Sequence, residues 1–471
     1  MSVSCHLAVD LGAESGRIML ARIDARRIAL REVHRFDNRP VERQGVLRWD
    51  FARLLDEIKT GLARAVRQEE NIASLGVDTW GVDYGLLDRD GRLLEAPVHY
   101  RDGRTRNILD AAYRIMDPRA LYNATGIQLM PINTLFQLFA CRRQTPEMLA
   151  RADKLLFMPD LIVYCLTGVM QAEATIASTS QMMDMRTRAW SEPVLEAFGI
   201  PRRLLPDIVP PGRIAGKIKP DLAAALGCAP FDVVAVGGHD TASAVAGVPA
   251  RDDARWAFLS SGTWSLIGQE LPEPIIDDSS YGAQLANEGG LNRTIRLLKN
   301  IAGLWLVQQC RQIWANQGES YSYAQLTEMA ATSDAPATID VDHPSFAEPG
   351  AMPEKIVRQL QAKGVPAIND KGRIVRVVLE SLAQRYAETL SSIETVTGRQ
   401  ADVLHIVGGG IKNTLLNRLT AAATGKRVLA GPAEATVLGN VLAQAMALGR
   451  LDSMDSGRAL VAESFPPESF G

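Results

Sequence analysis

The sequence predicts a mixed α/β protein built from two related domains. Three observations lead there. At 471 residues the chain exceeds what one hydrophobic core organises, so it should divide. Apolar runs of strand length ending at Asp or Gly are interspersed with amphipathic stretches of helical period. A strand, a glycine-containing turn and a returning strand open the chain, and the same device recurs past its midpoint.

The first copy of that device carries the most information. The run His6 to Val9 ends at Asp10, followed by Leu11-Gly12-Ala13-Glu14-Ser15-Gly16-Arg17, and a second apolar run covers Ile18 to Ile23. Backbone N–H groups and small hydroxyls at such a tip can close around a phosphate, because glycine allows a ligand close approach. Asp10, at the mouth, is of the type that holds a magnesium ion through water. A helix is expected at about 51–66, with Phe51, Leu54, Leu55, Ile58 and Leu62 on one face, then strands at 72–78 and 82–87. Residues from about 104 to 198 read as helical and irregular, an insertion outside the sheet. Val233–Val236 is a buried strand leading into Gly237-Gly238-His239-Asp240-Thr241, and a helix starts at about Ala242.

The second copy comprises Trp256–Leu259, the turn Ser260-Ser261-Gly262-Thr263 and the strand Trp264–Ile267. A long amphipathic helix follows at about 374–395, with Val375, Val378, Leu382, Tyr386, Leu390 and Ile393 in register. Strand Val403–Val407 then meets Gly408-Gly409-Gly410, with a helix from about Asn413. The domain boundary is expected near Gly247–Arg251, giving domains 1–247 and 248–471.

Bulk composition narrows the function. Apolar residues make up 46% and charged residues 22%, and 51 Lys and Arg against 54 Asp and Glu give a net charge of −3. No basic stripe suits a nucleic-acid backbone. Apolar runs break well short of a membrane span, and the N-terminus lacks a signal pattern. Five scattered cysteines without a C-x-x-C spacing read as reduced thiols of a cytoplasmic protein. The common Gly-x-x-x-x-Gly-Lys-Ser/Thr phosphate loop is missing, and no His-Glu-x-x-His or Cys-x-x-Cys element offers a transition-metal site.

The two turns could hold the phosphates of one nucleotide, and the glycine triplet could lie against its ring or ribose. Asp240, rigidly placed after a buried strand, could face an acceptor hydroxyl. Each also has a plain structural role: a hairpin, a helix start, or, for Asp240, a helix cap. His239 could orient a sugar or pack in the core, Trp80 could stack on a sugar or fill a strand end, and Asp83 could bind hydroxyls or end a hairpin. Asn133, Thr134 and Gln137 could touch sugar, though helix capping also explains Asn133 and Thr134, while Tyr100-Arg101-Asp102 reads as an internal Arg–Asp pair that shapes the pocket.

Taken together and in order, these elements resemble the FGGY family of carbohydrate kinases, within the actin and heat-shock ATPase superfold. The resemblance runs from Val9 to about Gly449. It rests on Val9-Asp10-Leu11-Gly12-Ala13, Ser15-Gly16-Arg17, Asp78-Thr79-Trp80-Gly81-Val82-Asp83, Tyr100-Arg101-Asp102 and Gly238-His239-Asp240-Thr241-Ala242. It continues through Ser260-Ser261-Gly262-Thr263-Trp264-Ser265, Asn287-Glu288-Gly289-Gly290, Leu298-Lys299-Asn300-Ile301 and Val407-Gly408-Gly409-Gly410 with Asn413. The Trp80–Asp83 run, His239 and the Asn-Glu-Gly-Gly run are particular to the branch of that family acting on L-rhamnulose.

The resemblance implies a two-domain actin-like ATPase (ribonuclease H-like) fold with a cleft between the domains. It implies ATP-dependent phosphorylation of the 1-hydroxyl of L-rhamnulose, with Mg2+, in L-rhamnose degradation. Ala13, Glu14, Ser15, Gly16 and Arg17 would line the ATP phosphates, with Thr263 beyond them and Gln308 and Gly409 near the rest of the nucleotide. Gly81, His239, Asp240, Thr241 and Asn300 would hold the ketose, Asp240 would be the catalytic base, and Asp10 would hold magnesium through water. Glu14 departs from the small residue common there, and its carboxylate should be exposed, pointing away from the phosphates. Expected partners are a small ketose and ATP, with no nucleic acid or membrane, for a monomer or small homo-oligomer. The alternatives are a kinase of L-fuculose, xylulose or another ketose, and a non-enzymatic actin-like ATPase.

Overall fold

The computed structural model describes residues 3–250, 255–346 and 348–471. Two compact units emerge: Met1–Arg251 with Glu270–Leu297 and Ala435–Phe465, and Asp252–Gln269 with Leu298–Glu434 and Pro466–Gly471. Two later segments thus fold with the N-terminal part of the chain. Arg251, the end of the expected boundary, lies outside the described residues.

In the first unit a six-stranded sheet runs in the order Arg213–Lys217, Asp232–Ala235, Ile72–Thr79, Ser4–Leu11, Ser15–Ile23, Ile28–Asp37. The opening device is an antiparallel hairpin that pairs Asp10 with Arg17. Its first strand lies parallel to Ile72–Thr79, with Asp10 opposite Asp78, and Asp232–Ala235 continues the parallel set. Every residue of Ser4–Leu11 is buried, as expected for a parallel strand covered on both faces. The helix Phe51–Gln68 buries Phe51, Leu54, Ile58, Leu62 and Ala65, one face at helical spacing.

Within this unit the helices Asp240–Ala246 and Ala435–Ala447 pack backbone against backbone. A Cβ on Gly439 would fall 1.8 Å from the Ser243 carbonyl oxygen, so only glycine permits that approach. The strands' alanines and valines join Val437, Leu438, Val441 and Leu442 in the core beneath the sheet's centre. Between residues 104 and 198 the chain forms short helices, with strands of two or four residues outside the central sheet.

The second unit repeats the motif. Trp256–Ser261 pairs antiparallel with Trp264–Leu271 through Ser261 and Ser265 and lies parallel to Val403–Val407, which is parallel to Arg427–Ala430. The helix Lys371–Thr397 buries Val375, Val378, Leu382, Tyr386, Leu390 and Ile393, and its Tyr386 hydroxyl bonds the Ser265 hydroxyl at 2.6 Å. Among the described residues no helix is long and apolar enough to cross a membrane, and the five cysteines are free thiols.

Candidate active site

Ligands of α/β sheets bind outside the carboxyl ends of parallel strands. In the first unit those ends carry Asp10-Leu11, Asp78-Thr79 and the segment after Ala235. Thr79 N–H donates to the Gly238 carbonyl at 2.9 Å, which brings the Gly238–Thr241 segment alongside Asp78. Three carboxylates therefore gather here: Asp10, Asp78 and Asp240.

Their surroundings differ. Asp10 accepts both Nε (2.9 Å) and Nη2 (2.7 Å) of Arg17, its cross-strand partner. Asp78 is wholly buried; Oδ2 accepts Asn440 Nδ2 at 2.5 Å, while Oδ1 has no hydrogen-bond partner. Burial, reinforced by the charge of Asp10, pushes its carboxyl well above the usual range. Asp240 occupies the first turn of helix Asp240–Ala246, after the capping position held by His239. It is no helix cap, and its side chain is 30% exposed. Its carboxyl is also raised, first by desolvation and, against the lowering influence of His239, by Asp10.

Four residues to which the sequence analysis gave no role in the site hold the Asp240 loop. Glu173 accepts Thr175 N (2.8 Å), Thr175 Oγ1 (2.5 Å), Ile176 N (3.2 Å) and Gly238 N (2.9 Å), and Thr175 Oγ1 accepts His239 N at 3.2 Å. On the other side, Arg296 Nη2 lies 3.2 Å from His239 Nδ1 and 3.1 Å from Glu288 Oε2. Arg296 is a cation inside the apolar run Ile295–Leu298 and Glu288 belongs to the Asn-Glu-Gly-Gly run, whereas nothing in the sequence marks Glu173 or Thr175.

Gly81 sits beside this cluster. A Cβ there would stand 3.4 Å from His239 Nε2 and 3.4 Å from Thr179 Cγ2, so the absent side chain leaves room next to the imidazole. The following Val82 has φ 66, unusual for a β-branched residue, and is held by Thr179 Oγ1 at its N–H and Thr134 Oγ1 at its carbonyl. That turn sends Asp83 inward, where it accepts Trp49 Nε1 (2.6 Å), Trp80 Nε1 (3.0 Å), Tyr100 N (3.2 Å) and Gln137 Nε2 (3.1 Å). The Trp80 and Trp49 rings meet at 4.0 Å between centroids, tilted by 36°. Asp83, Trp80, Thr134 and Gln137 thus brace the turn. Ala13, Ser15 and Arg17 are partly exposed around the hairpin tip, Gly16 is buried beneath it, and Glu14 is exposed. Thr241 Oγ1 donates to Asp240 Oδ1 at 3.1 Å.

In the second unit the turn at Gly262-Thr263 receives the start of helix Trp305–Asn316. Gly303 N and Trp305 N donate to the Thr263 carbonyl, and Leu304 N to that of Gly262. Gln308 Nε2 donates to Thr263 Oγ1 at 3.3 Å, which joins two expected nucleotide residues, and its Oε1 is buried without a hydrogen-bond partner. The glycine triplet packs on the same turn: a Cβ on Gly410 would fall 2.0 Å from Ser261 Oγ, whereas Gly409 faces open space. Asn413 caps helix Thr414–Thr424 through Leu416 N. Asn300 lies on strand Ile295–Ala302, partly exposed.

Two family models match the chain: the N-terminal domain of the FGGY family of carbohydrate kinases over residues 5–247, and its C-terminal domain over 257–448. The chain belongs to the FGGY family of carbohydrate kinases. It is 41% identical over 464 residues to the rhamnulokinase of Bacteroides thetaiotaomicron, covering 98% of this chain and 95% of the relative. The rhamnulokinase of Bacillus subtilis is 36% identical over 466 residues, covering 99% and 95%. Among solved structures, xylulose kinase from Lactobacillus acidophilus superposes with TM-score 0.82 at 17% identity, covering 99% of this chain and 93% of that one. Plasmodium falciparum glycerol kinase with ADP reaches TM-score 0.78 at 16% identity, covering 99% and 94%. At those identities the structures establish the two-domain α/β kinase fold. The chain is accordingly a carbohydrate kinase, and the non-enzymatic alternative falls away.

Proposed function

We propose that this kinase transfers the terminal phosphoryl group of ATP to the 1-hydroxyl of L-rhamnulose, giving L-rhamnulose 1-phosphate and ADP in L-rhamnose degradation. The observation that carries the reading is Asp240: a carboxylate fixed by a helix turn, largely desolvated, yet with exposed surface. The near full-length identity to rhamnulokinases supports the choice of ketose.

Phosphoryl transfer asks mainly for alignment and charge neutralisation. Asp240 accepts the proton of the 1-hydroxyl as that oxygen becomes acidic during the reaction, and its raised pKa improves it as an acceptor. Gly81 leaves space for the ketose beside His239, and Thr241 and Asn300 address its hydroxyls. Ala13, Glu14, Ser15, Gly16 and Arg17 line the phosphates chiefly through backbone, Glu14 turning its carboxylate outward. Thr263, Gln308 and Gly409 serve the nucleotide. Residues 1–247 carry phosphate binding and, Asn300 apart, sugar binding, and 248–471 nucleotide binding, a division supported by the limits of the family models.

Mg2+ suits the residues present. The donor set is oxygen only, as this hard cation prefers, and Asp78 Oδ1 is a buried carboxylate oxygen without a hydrogen-bond partner. Asp10 would hold the ion through water, with Asp78 beside it; among the described residues no group of three His, Cys, Asp or Glu is placed to hold a metal unaided. When bound, the ion neutralises charge on the terminal phosphates. We place the reaction in the cytoplasm, in a monomer or small homo-oligomer free of nucleic acid and membrane, in keeping with the net charge of −3.

The test is ADP release with L-rhamnulose beside L-fuculose and xylulose, repeated with Asp240→Asn. L-Rhamnulose should give the highest kcat/KM, and Asp240→Asn should lose roughly 10²–10⁴-fold in kcat while still binding ATP. Preference for another ketose, or undiminished turnover in the variant, would refute the respective half of the reading.

A further inference from the structure

We infer that Arg296 is a positioning residue: by donating to His239 Nδ1 it holds the imidazole in the Nε2–H tautomer, whose proton faces the Asp240 carboxylate. The inference rests on the reading of Asp240 as the base.

Both ends of the imidazole report the same tautomer. Arg296 Nη2 lies 3.2 Å from Nδ1. A guanidinium has only donors, so a proton on Nδ1 would set donor against donor. At the other end, Nε2 lies 3.4 Å from Asp240 Oδ1. A bare Nε2 lone pair there would face a carboxylate oxygen, acceptor against acceptor. Placing the single proton on Nε2 removes both conflicts and leaves one acceptor near the bare Nδ1, the Glu288 carboxylate. Glu288 Oε2 stands 3.2 Å from Nδ1 and 3.1 Å from Arg296 Nη2; the guanidinium offsets its charge while donating to the ring nitrogen. Arg296 cannot swing away: it is wholly buried, and its Nε donates to the Gly289 carbonyl at 2.9 Å. The Asn-Glu-Gly-Gly run and the His-Asp pair, more than 45 residues apart in sequence, thus form one device.

The consequence falls on Asp240. His239 Nε2 and Thr241 Oγ1 both address Oδ1, so accepting the sugar proton falls to Oδ2, and the carboxylate plane is set before the ketose arrives. Loss of Arg296 leaves Glu288 alone at Nδ1, drawing the proton to that nitrogen and turning a lone pair toward Asp240.

The tautomer is read directly by nitrogen-15 NMR of the histidine side chains. There are six histidines, and His239→Asn assigns the signal. The wild type should show a neutral ring protonated at Nε2. Arg296→Met should move the proton to Nδ1 and lower kcat roughly 10–100-fold, as losing an outer hydrogen-bond partner does elsewhere, with KM for ATP unchanged. His239→Gln, which keeps an N–H near the Nε2 position, should retain more activity than His239→Asn. A wild-type ring protonated at Nδ1 or at both nitrogens overturns the inference, as does an unmoved tautomer in Arg296→Met. If that variant does not fold, the wild-type spectrum and the Gln-over-Asn order decide. Full turnover in Asp240→Asn would remove the base assignment alone; a wrong tautomer with Asp240→Asn inactive would remove Arg296 alone.

Discussion

Replacing Glu173 with glutamine should loosen the loop that carries Asp240, and the structure sets the size of the effect. Four donors converge on this buried carboxylate, three of them on Oε2 and Thr175 N on Oε1. Burial drives its pKa up, and the four bonds oppose that rise. An amide retains one oxygen. Placed at Oε2, it leaves Thr175 N facing an NH2; placed at Oε1, it strands three donors, Gly238 N included. The better orientation still abandons one buried N–H and the charge assistance of the rest, a cost of about 1–3 kcal/mol. In a unit of this size that lowers the melting temperature by about 2–10 °C. Trp49, Trp80 and Trp190 lie in the same unit and report its unfolding by fluorescence. Because a misplacement of about 1 Å can cost a hundredfold in rate, kcat should fall at least about tenfold at saturating ketose. An unchanged melting temperature together with unchanged kcat would show that Glu173 does not anchor the loop.

Asp160 makes the complementary case. Burial and the nearby Glu173 charge push its carboxyl well above the usual range. The folded state therefore holds this proton more tightly than the unfolded chain, and stability is lost as pH rises from about 4 toward the folded pKa, by about 1.4 kcal/mol per pH unit. Asp160→Asn should match wild type near pH 4 and exceed it increasingly above, read as urea midpoints from pH 4 to 8; parallel curves would contradict this. Gly81→Ala places a methyl at ordinary contact distance from His239 and Thr179. Folding should therefore be undisturbed while the ketose KM rises about tenfold or more, the scale of overpacking. An unaltered ketose KM would put the sugar elsewhere. Gln308→Ala and Thr263→Ala should each raise KM for ATP, and the double variant should fall short of additivity by about 0.5–3 kcal/mol, since the two side chains share a hydrogen bond. Strict additivity would mean that the bond does not couple them.

Much of the fold is legible because its signals are local. Apolar runs broken by Asp10, Asp78 or the Gly237-Gly238 pair mark strand ends, and helical spacing from Val375 to Ile393 marks the long helix. Parts of the site are legible for the same reason: glycine turns and an aspartate after a strand are written in a few consecutive residues. What was not legible depends on distant partners. Glu173 lies in a two-residue strand inside the helical insertion, and nothing around it announces that its acceptor oxygen serves Gly238, 65 residues on. From the sequence, Asp83 could bind sugar hydroxyls or end a hairpin strand. The positive φ at Val82, a backbone feature that the residue type there does not announce, turns Asp83 to the two indoles.

The same comparison explains why the first unit tolerates so much buried charge. Asp78, Asp160, Glu173 and Asp240 all have carboxyls raised by burial, and each costs stability at neutral pH. Only Glu173 is matched by a full set of donors. Asp78 keeps a buried oxygen without a hydrogen-bond partner, and Asp240 keeps exposed surface. A chain selected for stability alone would replace such groups with apolar residues of similar volume. Asp78 and Asp240 stand with Asp10 at or just beyond the ends of three parallel strands, with Arg17 bonded to Asp10, which makes electrostatic sense if the site works on a metal-bound polyphosphate and an alcohol. The strain resides where an incoming cation and a substrate proton relieve it.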